Sequence, residues 1–182
     1  RAASRTNNVV DEIVTNEKLD QIYQKISTVC EGDVVGDKRA TVGYQVGDHR
    51  LDVKNMSTGL KTFAILKSLL MNSYIKTRGV IILDEPEIHL HPEWQLLFAE
   101  LIVLLHKEFG LHILLNTHSP YFLNAIEVYS AKYQVADKCK YYLTENVNKL
   151  SYIKDVTDDI EAIYRKLARP LQKLENERYA DE

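Results

Sequence analysis

No apolar run in this sequence approaches the roughly 18 residues that a membrane-spanning helix needs, and Leu101–Leu105 is among the longer ones. No membrane association is expected on that ground. Cysteine is scarce. Cys30 and Cys139 stand far apart, and neither belongs to a CxxC pair, so neither reads as a redox or zinc motif. A reduced, cytoplasmic chain is the simplest expectation. An excess of one charge is also lacking. The formal net charge of -3 and pI of about 6.1 give no chain-wide reason to expect a nucleic-acid coat, although a local basic patch is compatible with both. The opening Arg1-Ala2-Ala3-Ser4-Arg5 has no apolar stretch behind it, so it does not read as a signal peptide. It also lacks an initiator methionine, which fits a chain that begins inside a longer protein. Internal repeats and low-complexity tracts are absent.

What is present is an ordinary globular balance. Hydrophobic residues make up 45% and charged residues 27% of 182 positions, enough to build the core of one domain or the larger part of one. The eleven tyrosines are spread along the chain and read as half-buried packing residues, and Trp94, Tyr121 and Phe122 read as core rather than function.

Residues 1–16 are polar and without a period, as in a linker. Leu19, Ile22, Tyr23 and Ile26 recur at helical spacing and predict a helix over 17–30. Gly32, Gly36 and Asp37 mark loops. Ala40–Gln45 and Arg50–Val53 flank Val46-Gly47-Asp48, a hairpin pattern. A helix is expected from Thr58 to about Ser73. Val80-Ile81-Ile82-Leu83 is unbroken and apolar, the reading of a strand buried on both faces. Pro92 opens a helix where its missing N–H costs little, and Gly110 closes it. Leu111–Leu115 is a second buried strand, so strand, helix and strand form a βαβ unit with a parallel pair. A short helix over Ser119–Glu127 follows. Cys139–Thr144 and Lys149–Ile153 suggest a hairpin around Glu145–Asn148. A last helix starts near Thr157, and Pro170 ends or kinks it.

The first strand runs straight into Asp84-Glu85-Pro86, so it delivers two adjacent carboxylates to its C-terminal edge, where ligands bind in open α/β sheets. One carboxylate suits Mg²⁺, which prefers oxygen ligands. The next can orient and deprotonate a water. The plainer alternative is a pair of acids that only ends a strand and caps a turn. The second strand leads into Asn116-Thr117-His118-Ser119-Pro120, which brings a histidine to the same edge. Upstream, Asn55-Met56-Ser57-Thr58-Gly59-Leu60-Lys61 opens a helix. Ser57 can cap it, its free N–H groups form an anion site, and Gly59 allows close approach. Alone, such a segment is an ordinary N-cap, and its place before the acidic strand is what gives it meaning. His89 and His91 allow a rival reading, an HxH zinc hydrolase completed by His118 or Asp84. Pro86 and Pro92 on either side argue instead for a turn.

Taken together, these segments resemble ABC-type ATPases. Ser57-Thr58-Gly59-Leu60-Lys61 resembles their LSxGxK-like signature. Leu83-Asp84-Glu85-Pro86-Glu87-Ile88-His89-Leu90-His91-Pro92 is similar to the extended Walker B of one branch, and Thr117-His118-Ser119-Pro120 to its switch segment. That branch holds AAA-type proteins related to the overcoming-lysogenization-defect nucleases, including ATPases of phage defence. The resemblance spans Asn55 to about Tyr129. It implies a P-loop NTPase fold: α/β, a mainly parallel sheet, a peripheral antiparallel hairpin and a C-terminal helix. It implies that Asp84 serves Mg²⁺, that Glu85 is the catalytic base and that His118 senses the γ-phosphate. Ser57, Thr58, Gly59 and Lys61 would lie at ATP held by a second subunit, in a head-to-tail homodimer. DNA, a nuclease or another effector stand as candidate partners, and an ATP-dependent binding module with little hydrolysis is the alternative function.

One part of the pattern is missing. A phosphate-binding loop reads G-x-x-x-x-G-K-[ST]. The nearest candidate, Gly32-Asp33-Val34-Val35-Gly36-Asp37-Lys38-Arg39, has the wrong spacing and lacks the Ser/Thr. Seven glycines are also few for a complete nucleotide-binding domain. Residues 1–182 are therefore expected to be the C-terminal part of such a domain, with its phosphate loop elsewhere, and to hydrolyse little ATP alone.

Overall fold

The computed structural model describes residues 17–36, 42–72 and 74–180. The expected linker at 1–16, the hairpin start at Ala40 and the helix end at Ser73 lie outside them. Helix α1 covers 17–27. It buries Ile22 and Ile26, the face its spacing predicts. Strand β1 (Asp33–Gly36) follows where the sequence suggested only loops. Four residues that follow one glycine and end on another carry too little pattern to announce a strand. It pairs with β2 (Val42–Val46), which pairs with β3 (His49–Asp52), all antiparallel. The β2–β3 turn falls at Gly47-Asp48, as expected, with Gly47 at φ 55°.

Helix α2 (Thr58–Met71) is capped by Ser57, whose hydroxyl accepts from Leu60 N at 3.3 Å. Strand β4 (Val80–Asp84) and strand β5 (His112–Asn116) are parallel and joined through α3 (Pro92–Phe109). Pro92 opens α3, and Gly110 ends it in the left-handed region at φ 63°. Helix α4 (Pro120–Lys132) outlasts the expected end at Glu127 by another turn and packs on α3. Phe63, Trp94 and Phe98 meet edge to face at 5.9 and 5.5 Å from Phe63, and Phe122 stacks beyond. These rings form the centre of the core under the sheet. Glu100, buried in α3, ties three helices. It accepts from Lys25 at 2.9 Å, Lys132 at 3.0 Å and Tyr133 at 2.5 Å.

Three expectations need correction. The strands β4 and β5 are not buried on both faces: Val80, Ile82 and Leu114 are 72%, 69% and 57% exposed, while Ile81, Leu83, Ile113 and Leu115 pack on the core. Helices cover one face only, among the described residues. The second hairpin pairs β6 (Tyr142–Val147) with β7 (Leu150–Asp155). Its turn is two residues, Asn148 and Lys149, at φ 50° and 67°, rather than the four expected. Asparagine tolerates that region, and a two-residue turn with both φ positive matches strand twist. The last helix, α5 (Glu161–Ala180), begins later than Thr157, after a turn in which Ala162 N donates to Asp159 O. Of the two outcomes expected at Pro170, an end is excluded: the helix runs through it, because the turns on either side satisfy their own backbone groups and the proline removes one bond.

Candidate functional site

The parallel register sets Asp84 opposite Asn116 at the C-terminal ends of β4 and β5. Asn116 Nδ2 donates to Asp84 Oδ1 at 3.2 Å, and Glu85 N donates to Asn116 O at 3.0 Å. The ladder thus extends one residue past β4, and the chain then turns sharply. Glu85 takes φ 44°, in the left-handed region that a residue with a side chain enters at a cost of roughly 1–3 kcal/mol. His118 Nε2 lies 3.2 Å from Glu85 Oε1. The two side chains are 81% and 38% exposed, respectively. An exposed pair of this kind contributes about 0–1 kcal/mol to stability. Backbone hydrogen bonds hold that turn: Glu85 N donates to Asn116 O, and Ile88 N donates to Glu85 O at 3.2 Å. Arg78, Gln134, Asn148 and Lys149 also take positive φ.

The structure thus brings Asp84, Glu85 and His118 to one edge of one sheet. Ser57, Thr58, Gly59 and Lys61 sit apart from them at the start of α2, with no hydrogen bond or ion pair to those three among the described residues. Ser57 and Thr58 are exposed. Lys61 reaches back to Lys54 O at 3.2 Å. Gly59 is buried, and a Cβ there would meet His89 O at 2.8 Å, Leu90 Cδ2 at 3.4 Å and Trp94 Cε3 at 3.5 Å. Packing on the turn after Glu85 is reason enough for glycine at that position. His89 and His91 are both exposed in or beside that turn, and no group of three His, Cys, Asp or Glu converges on a metal position among the described residues.

Glu87 and Thr117 stand within the motifs quoted above, but the sequence does not announce their pairing. Glu87 is buried within the turn, and Thr117 Oγ1 donates to its Oε1. The residues are 30 apart in sequence, and no local pattern joins them.

Comparison with known proteins follows from this geometry. Residues 37–124 match a family described as an AAA domain, putative AbiEii toxin, Type IV TA system. That span holds Ser57–Lys61, Asp84, Glu85 and His118. Among solved structures, one described in connection with ATP-driven dimerization and DNA-stimulated activation of SMC ATPases aligns with a TM-score of 0.55 at 13% identity, covering 90% of this chain and 96% of that one. The likeness establishes a fold of the P-loop NTPase kind. An SMC head domain from Thermotoga maritima aligns with a TM-score of 0.42 at 21% identity, over 82% of this chain and 51% of its own.

Proposed function

We propose that residues 1–182 form the signature-, Walker B- and switch-histidine-bearing part of an ABC-type ATPase domain. In this reading the intact unit binds ATP with Mg²⁺, dimerises head to tail around it and uses hydrolysis as a conformational switch. The observation that carries it is the meeting of Glu85 and His118 at 3.2 Å, delivered by two successive parallel strands to one edge. Glu85 is the group placed to take a proton from water. His118 would donate to a γ-phosphate oxygen. The donor set fits the metal: Asp84 is an exposed carboxylate at the strand end, with one oxygen engaged by Asn116. Oxygen ligands suit Mg²⁺, which keeps several waters and relies on phosphate oxygens to complete its shell. Bound there, it would neutralise phosphate charge.

The uncovered apolar face of β4 and β5 supports a missing layer, and we assign that layer to the part of the domain that carries the phosphate-binding loop. The wording Glu87-Ile88-His89-Leu90-His91-Pro92 supports the branch related to the overcoming-lysogenization-defect nucleases. A cytoplasmic setting fits, since no helix among the described residues is long and apolar enough to cross a membrane. The similar SMC ATPase is described as DNA-stimulated, which makes DNA a candidate partner here, beside a nuclease or another effector. The alternative of an ATP-dependent binding module without hydrolysis is disfavoured by the carboxylate of Glu85 beside His118, since binding alone needs no base there.

The test is ATP-dependent association, read by light scattering on a protein that joins this chain to its phosphate loop. ATP with Mg²⁺ should convert monomer to dimer, and Glu85→Gln should prolong the dimer. Saturating ATP that leaves the protein monomeric would refute the dimer model.

A further inference from the structure

The side chain of His118 is 81% exposed, and its one polar contact among the described residues is with Glu85. Packing therefore does not orient its ring, and the loop that carries it must. That loop is held on both sides of the histidine. On one side, Thr117 Oγ1 donates to Glu87 Oε1, inside the turn that follows Glu85. Thr117 Oγ1 in turn accepts from Ser119 N at 3.0 Å. On the other side, Ser119 Oγ donates to Gln95 Oε1 at 3.0 Å, and Gln95 Nε2 donates to Leu90 O at 3.2 Å, back in the same turn. A closed ring of hydrogen bonds therefore joins the Glu85–His91 turn to the His118 loop.

The anchor of this ring is unusual. Glu87 is 4% exposed, and its Oε2 is buried with no hydrogen-bond partner among the described residues. Leaving a buried acceptor unsatisfied is unfavourable, and an apolar pair of the same shape would join the two loops without that penalty. What a carboxylate adds is direction: a charge-assisted bond fixes where the hydroxyl, and the backbone bearing it, must point.

We propose that Glu87 and Thr117 are positioning residues, which hold the loop so that His118 Nε2 meets the Glu85 carboxylate. This rests on the reading of Glu85 and His118 given above. Among the described residues the Glu87 side chain has no hydrogen bond or ion pair with either, so its effect passes through Thr117.

The test separates positioning from hydrolysis. On this chain, the ring ¹H and ¹⁵N resonances of His118 are followed by NMR with and without Glu85→Gln. In the otherwise unaltered chain that substitution should shift them, because the two groups touch. In Thr117→Val, which keeps the shape and removes the hydroxyl, the response should vanish. Thr117→Ser should restore it. Glu87→Met fills similar space and removes the acceptor for Thr117, so it should also lose the response, and it decides the matter if Thr117→Val does not fold. A response that persists in Thr117→Val or in Glu87→Met overturns the proposal, as does the absence of any response in the unaltered chain. On the protein with its phosphate loop, Thr117→Val should lower kcat on the order of 10–100-fold with KM for ATP unchanged, as expected for misplacement of a reacting group. Thr117→Ser should recover it. A change confined to KM would also overturn positioning. Absence of hydrolysis in the unaltered protein would instead sink the ATPase reading and leave the NMR result to judge the geometry.

Discussion

Glu100 and Glu85 show how differently two acids of one chain are used. Burial raises the pKa of the Glu100 carboxyl, but hydrogen bonds from Tyr133, Lys25 and Lys132 outweigh it and hold the group at about 2, below its ordinary 4.5. The folded state therefore binds fewer protons than the unfolded one between those values. Its contribution is complete above about pH 4.5 and is lost as pH falls through about 2. The size is on the order of 3 kcal/mol. Glu100→Gln should lower stability at pH 7 by roughly that amount and flatten the acid limb of a urea-denaturation series. An unchanged acid limb would show that Lys25 and Lys132 do not hold this carboxylate. Glu85 instead remains partly exposed at φ 44°, with a single weak side-chain pair that adds little to stability.

At the scale of elements, the start of α2 is where chemistry and packing must be separated. Gly59 lies against His89 O, so any side chain there disturbs the turn whether or not ATP is involved. Gly59→Ala should destabilise the chain by more than about 1 kcal/mol, an overpacking effect seen by urea unfolding. Thr58 gives the cleaner test. It is exposed in a first turn that holds no acidic residue. Thr58→Asp should leave the helix unharmed or stabilise it by about 0.3–1 kcal/mol through the helix dipole. It should nonetheless abolish ATP-driven association by repelling the γ-phosphate. Dimers that form normally with Thr58→Asp would remove this segment from the interface.

The β4–α3–β5 unit was legible because its signals agree: an unbroken apolar run, Pro92 at the start of the helix, Gly110 at its end, then a second run. Glu85 and His118 followed from it, since parallel strands place their C-terminal ends together. Exposure was not legible. Val80 and Ile82 are as apolar as Ile81 and Leu83, and which face is covered depends on a layer that the strand itself does not encode. The partnership of Glu87 with Thr117 was hidden for a related reason, because it joins two loops across the sheet edge rather than neighbours on one element.

At the scale of the whole molecule, the described residues leave one face of β4 and β5 exposed. Helices pack under the other. Between α2 and β4 runs an apolar groove of about 550 Å³, lined in part by Ile65, Leu69, Tyr74, Ile81, Leu83 and Phe98. A sheet this apolar calls for cover on both sides, and an ATPase domain assembled around it would place the Glu85–His118 edge toward bound nucleotide. The most direct measurement of that account is single-turnover ATP hydrolysis, made on the protein with its phosphate loop, through a cycle of Glu85→Gln, His118→Ala and the double variant. Loss of a general base or its partner should lower the rate roughly 10²–10⁴-fold while ATP still binds. Because the two groups act on one reaction, the double variant should be scarcely slower than the slower single one. A rate unchanged by Glu85→Gln would contradict the account.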